Sequence, residues 1–160
     1  EAIVHQERAL EILVAGHGES HDLVGVGQMN LGFLERKRGN YERSLELYLS
    51  ASERVSDVTR GLVSLGLGEA YLLVGRPDDA APILEDVATF LEGKPPSLGS
   101  RGEALYLLAQ TRWQQGRRAD ARALAARAIE ALDVEEDPEL KAEVEAWSRA
   151  PRAFSFTPGG

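Results

Sequence analysis

Between Gly61 and Val87 the chain reads GLVSLGLGEAYLLVGRPDDAAPILEDV. Leu62, Leu65, Tyr71 and Leu72 recur at helical spacing there. Ala80, Ile83, Leu84 and Val87 do so again after the Gly75-Arg76-Pro77-Asp78 break. The pattern predicts two helices folded back on each other, with Pro77 in the first turn of the second, where a missing N–H costs nothing. The same alternation runs through the rest of the chain. A helix is expected from Leu23 to Arg38, a turn at Gly39-Asn40 with Asn40 as N-cap, and a returning helix from Tyr41 to Val55 with Leu45, Tyr48 and Ala51 inward. A third pair is expected over Glu103 to Gln115 and Arg118 to Leu132, turning at Gly116.

The two ends differ from this unit. Glu1 to Ala15 carries Ile3, Ala9, Leu10 and Leu13 on one face, as a single helix without a partner before it. Such a half-unit cannot bury its face alone. Asp137-Pro138 opens a last helix with Leu140, Val144 and Trp147 on one face and charged residues on the others, the pattern of a capping helix. Glu92 to Ser100, EGKPPSLGS, breaks the pattern with two prolines and two glycines and is expected to be an insertion between units. Ser100 and Glu103 have the spacing of a capping box. Residues 151–160 are expected to be a flexible tail carrying Phe154 and Phe156.

Landmark positions keep register. Gly32 and Gly39, Gly68 and Gly75, Ala109 and Gly116 are each seven residues apart, and Ser44, Ala80 and Ala121 each follow five residues after the turn glycine. Small residues let helices approach, and the glycines end the first helix of each pair. Leu67-Gly68, Tyr71, Gly75 and Ala80 resemble the tetratricopeptide repeat (TPR) pattern of Leu-Gly-x-x-Tyr, turn, Ala-x-x-x-large. Glu7-Arg8-Ala9-Leu10, the Gly18–Asp22 loop and Asn30-Leu31-Gly32 resemble the longer-loop, kinesin-light-chain-like variety. RGEALYLLAQTRWQQGRRADARALAARAIEAL (101–132) and AEVEAW (142–147) are similar to the C-terminal end of TPR regions appended to bacterial serine/threonine protein kinases. Fifteen arginines against three lysines suit the GC-rich genomes where such kinases abound. The sequence departs from the family at Gln28, Ser64 and Leu105, where an aromatic often opens the first helix.

The resemblance implies an all-α fold: a right-handed TPR superhelix, an α-solenoid of about eight antiparallel helices spanning residues 1–150. Residues 1–19 would hold the second helix of an incomplete repeat. Repeats would follow at 20–57, 58–93 and 100–133, and the capping helix at 137–150.

Composition narrows the chemistry. The chain has 160 residues, is 43% hydrophobic and 28% charged, and carries no cysteine, which removes thiolate nucleophiles and Cys-based zinc sites. Its net charge of −8, with cations in short groups such as Arg36-Lys37-Arg38 and Arg117-Arg118 at helix ends, argues against nucleic acid as a partner. No apolar run is long enough to cross a bilayer, so no membrane insertion by this segment is expected. His17 and His21, with Glu19 and Asp22 nearby, have metal-ligand residue types but no fixed third ligand, and no metal or other cofactor is expected. Gly25-Val26-Gly27 and Gly66-Leu67-Gly68 lie inside helices and are not nucleotide fingerprints. Asp78-Asp79 and the acids from Asp133 to Asp137 fall at turns and read as caps. No H-R-D or D-F-G motif and no catalytic residue is found, so this stretch is not read as an enzyme.

The functional surface is therefore expected to be a concave groove lined by the first helices. Placing Gly32, Gly68 and Ala109 at helix contacts turns Met29, Phe33, Arg36, Leu65, Glu69, Leu72, Tyr106, Gln110 and Trp113 toward it. That lining suits a peptide or protein segment. TPR domains that clamp a C-terminal carboxylate use Lys, Arg and Asn in the groove. Asn30 matches one of these, but Glu103 and Leu107 stand where basic residues are expected. The N-terminal half-unit offers a surface for a homodimer. The expected compartment is the cytoplasm, or the periplasm if a membrane helix lies upstream of Glu1.

Overall fold

Residues 2–17, 22–54 and 56–152 are described in a computed structural model. They form eight α-helices: α1 (Ala2–His17), α2 (Asp22–Lys37), α3 (Tyr41–Ser52), α4 (Asp57–Leu73), α5 (Pro77–Phe90), α6 (Arg101–Gln114), α7 (Arg118–Glu135) and α8 (Pro138–Arg149). There is no strand among the described residues, and no helix is long and apolar enough to cross a membrane. Each helix packs on the next in the chain, and α2 touches α4 as α4 touches α6. The result is an all-α helical solenoid.

The turns of the three pairs are built alike. Gly39, Gly75 and Gly116 have φ of +84°, +74° and +78°. The glycine N–H and the next residue's N–H each reach back to the helix just ended, as in Gly75 to the Leu72 carbonyl (3.1 Å) and Arg76 to the Tyr71 carbonyl (2.9 Å). Gly39-Asn40 and Gly116-Arg117 repeat the pair of bonds. This is a Schellman motif, which satisfies carbonyls that the helix end leaves open.

Inside each pair, one contact repeats with different sizes. Tyr48 lies against Gly32 and Leu84 against Gly68, sixteen residues on in both cases. Sixteen residues after Ala109 stands Ala125, and both are buried. A glycine thus meets a large side chain, and an alanine has a small one at the matching place, which keeps the interior at close-packed density. Ser44 takes the place that Ala80 and Ala121 hold in the other pairs. It is fully buried and donates its hydroxyl to the Gly32 carbonyl (2.8 Å), so its polarity is satisfied.

Several ends differ from the sequence expectation. Asn40 caps α3 by position only; its side chain turns back and donates to Glu35 Oε2 (2.6 Å), pairing a carboxylate that is 7% exposed. Ser100 Oγ does accept from the Glu103 N–H (2.9 Å), but the carboxylate that completes the cap is that of Glu135. Glu135 accepts from Ser100 Oγ (2.6 Å), the Arg101 N–H (2.9 Å) and the Gly102 N–H (3.1 Å). It can do so because α7 runs to Glu135, past the expected end at Leu132. Asp137 caps α8 through the Leu140 N–H (3.0 Å). The proline-rich connector contains a short 3-10 turn, Pro96–Leu98, whose Leu98 carbonyl lies where a side chain at Gly61 would be.

Candidate functional site

A cleft of about 240 Å³ opens where α2, α4 and α6 converge. Its geometry starts from two glycines. Gly32 on α2 and Gly66 on α4 present bare backbone to opposite edges of the Tyr48 ring, whose Cε2 would stand 3.1 Å from a Cβ at 32. The ring therefore slides between the two helices, and a residue of the returning helix α3 joins a surface built from first helices.

The walls carry both apolar and charged groups. Phe33 and Leu62 stand at the rim, each 42% exposed. Arg36 and Lys37 lie over the Phe33 ring, at 5.0 and 5.4 Å from its centroid. Arg36 on α2 and Glu69 on α4 form an ion pair with side chains 13% and 15% exposed, tying two first helices together. Glu103 of α6 also lines the cleft, and no hydrogen bond or ion pair to its carboxylate is found among the described residues. Burial holds that carboxyl above the ordinary carboxylate range. The Arg36 charge pulls it back, while Asp137, Glu135 and Glu143 push it further up. Burial likewise raises the Tyr48 phenol, with Arg36 opposing and Glu103 adding to the rise.

Of the nine residues expected in the groove, Met29, Phe33, Arg36, Leu65 and Glu69 line this cleft together. Leu65 forms part of its floor at 4% exposure. The other four lie elsewhere. Leu72 is 3% exposed within the core. Tyr106 is buried, donates its hydroxyl to Glu143 Oε1 (3.2 Å) and meets Trp147 edge-on at 5.9 Å; burial, then Glu143, raises its phenol. Trp113 also meets Trp147 edge-on at 5.9 Å, with the Arg118 guanidinium 4.1 Å from its ring centroid, and so belongs to the packing of α8. Gln110 is 6% exposed, two turns along α6 from Glu103.

Tyr48, Leu62 and Gly66 were not expected in the lining, whereas Asn30 and Glu103, weighed above as groove positions against the carboxylate-clamp pattern, are part of it. Gly66 carried the signal: a glycine inside a helical pattern marks a close approach. The partner of that approach cannot be read from sequence, because it lies on another helix. His21 and Glu19, the side chain of His17, and Phe154 and Phe156 fall outside the described residues.

Residues 62–86 and 102–127 match the tetratricopeptide repeat. The first match covers most of α4 and α5, the second α6 and the first half of α7. Together with the eight-helix solenoid they support a TPR region in this chain. No curated protein matches the sequence. TPR units are typically non-catalytic and suggest a protein–protein interaction module with a protein partner. Leu62, Leu65 and Glu69 of the cleft fall within the first match and Glu103 within the second.

Proposed function

We propose that this chain binds a peptide or protein segment in the cleft between α2, α4 and α6, and that it is the C-terminal regulatory or scaffolding TPR region of a bacterial serine/threonine kinase. The observation that carries the binding reading is the cleft itself. Exposed Phe33 and Leu62 stand over a floor that the Arg36–Glu69 ion pair holds in place. Exposed aromatic and aliphatic side chains beside an arginine are what interface anchors are made of. A solenoid leaves such a surface open, because each unit spends its apolar faces on its neighbours and its first helices on the concave side.

The kinase reading is supported by the similarity of residues 101–132 and 142–147 to TPR regions that follow such kinases, and by the arginine-rich composition. The alternative is a free-standing TPR adaptor or co-chaperone. Reading the coding sequence upstream of Glu1 separates them. A kinase domain there makes this the enzyme's recruitment arm; its absence leaves the adaptor. The groove is tested by capturing partners from the source cell with the chain and with Phe33→Ala. The expected result is loss of a partner with the helical circular dichroism unchanged. Full retention by a folded variant sinks the groove.

A further inference from the structure

The charges in the cleft do not balance. Its lining carries one cation, Arg36, and two carboxylates, Glu69 and Glu103. Arg36 and Glu69 are committed to each other. Glu103 is left with no hydrogen-bond or ion-pair partner among the described residues. Its surroundings are negative: the charges of Glu135 at the end of α7, of Asp137 at the cap of α8 and of Glu143 within α8 reach it, and Arg36 alone opposes them.

Gln110 shares Glu103's face of α6 further along the helix, outside the lining of the cleft. It lies seven residues after Glu103, which brings it back to the same side of α6. It is 6% exposed, and its side-chain oxygen is buried with no donor among the described residues. Within the cleft the open acceptor is Glu103, which is partly exposed and so within reach of a donor that a partner brings.

We propose that the groove takes a cationic protein segment, with a lysine or arginine head against Glu103 and an adjacent apolar side chain on Phe33 and Leu62. This rests on the groove reading above and names the partner's chemistry. An acidic segment would set like charge against Glu103 inside a desolvated site, and a wholly apolar one would seal Glu103 away unpaired, both unfavourable. A cation supplies what the site lacks, and the chain's charge of −8 steers it inward. The basic groups on α2 set a limit at the other end. Lys37 and Arg38 are exposed there, so the segment's own cations are expected over α4 and α6 rather than over α2.

The test uses an amphipathic peptide of leucine and lysine, and the same peptide with glutamate at every lysine, both followed by fluorescence anisotropy at physiological salt. The lysine peptide is expected to bind and the glutamate peptide not. Glu103→Gln should weaken the lysine peptide about tenfold or more. Glu130→Gln, on the exposed side of α7, should leave it unchanged. Equal weakening by both variants would mean attraction to net charge alone and overturns the proposal, as does failure of the lysine peptide to bind or preference for the glutamate one. If Phe33→Ala weakens the lysine peptide and Glu103→Gln does not, the groove stands and its charge selection falls. If neither does, both readings fall. Amide chemical-shift mapping on the unaltered chain guards against a misfolded variant: shifts must centre on Phe33, Leu62 and Glu103, and shifts centred on α5 and α7 reject the site.

Discussion

The ring of Tyr48 occupies the space that a Cβ at Gly66 would need. The two residues sit eighteen apart, on α3 and α4, and neither makes sense alone. A glycine in mid-helix costs about 1 kcal/mol relative to alanine. A tyrosine on a returning helix has no evident route to the concave side. Each explains the other: the absent side chain is the slot through which the ring reaches the cleft.

Gly66→Ala is therefore expected to destabilise the chain, because overpacking costs about 1–3 kcal/mol and outweighs the helix-propensity gain. In a Tyr48→Ala background the slot is empty, and the same Gly66→Ala change should become neutral or stabilising. Urea unfolding of the four variants gives the coupling directly. Additive effects would mean that ring and glycine do not meet.

Glu135 is expected to be a stability residue although it lies at a helix end. It accepts three hydrogen bonds at the start of α6, one at 2.6 Å and two from backbone N–H groups at 2.9 and 3.1 Å. Hydrogen bonds to a charged group, with a carboxylate at a helix N-terminus, put the loss for Glu135→Ala at about 1.5–3 kcal/mol. The neighbouring Glu136→Ala is a control for charge, though its φ of +57° makes Glu136→Gly the cleaner one. Thermal unfolding should separate Glu135→Ala from these. A shift no larger than the control's removes the cap from the account.

Glu103 makes stability depend on pH in a direction opposite to most carboxylates. Burial raises its pKa above 4.5, so the folded state favours the protonated form. The contribution is fully present below the unfolded value and is lost as pH rises through the raised folded value. Compared with Glu103→Gln, the wild-type chain should gain stability as pH falls from neutrality toward 4.5. The slope of that difference cannot exceed about 1.4 kcal/mol per pH unit for a single group. Denaturant titrations of both chains across this window test it, and a wild type that loses ground to the variant on acidification reverses the assignment.

Much of this protein was legible in its sequence. Helical periodicity, Gly39, Gly75 and Gly116, and the small residues five positions later specify three helical pairs, because each is a local requirement of backbone geometry or close approach. The Pro138 start of α8 and its buried Val144 and Trp147 follow from the same kind of pattern. Within the cleft, Met29, Phe33, Arg36, Leu65 and Glu69 could be placed on one side by helical spacing alone. Spacing assigns a direction around a helix axis and no more. It cannot say that Leu72 and Gln110 end up covered, that Trp113 is claimed by Trp147 and Arg118, or that Glu135 rather than Glu103 completes the cap of α6. Those outcomes depend on how neighbouring helices sit against one another, which is decided by side-chain volumes meeting across units. Tyr48 reaching past Gly66, and Glu103 without a hydrogen-bond or ion-pair partner among the described residues, are consequences of that packing.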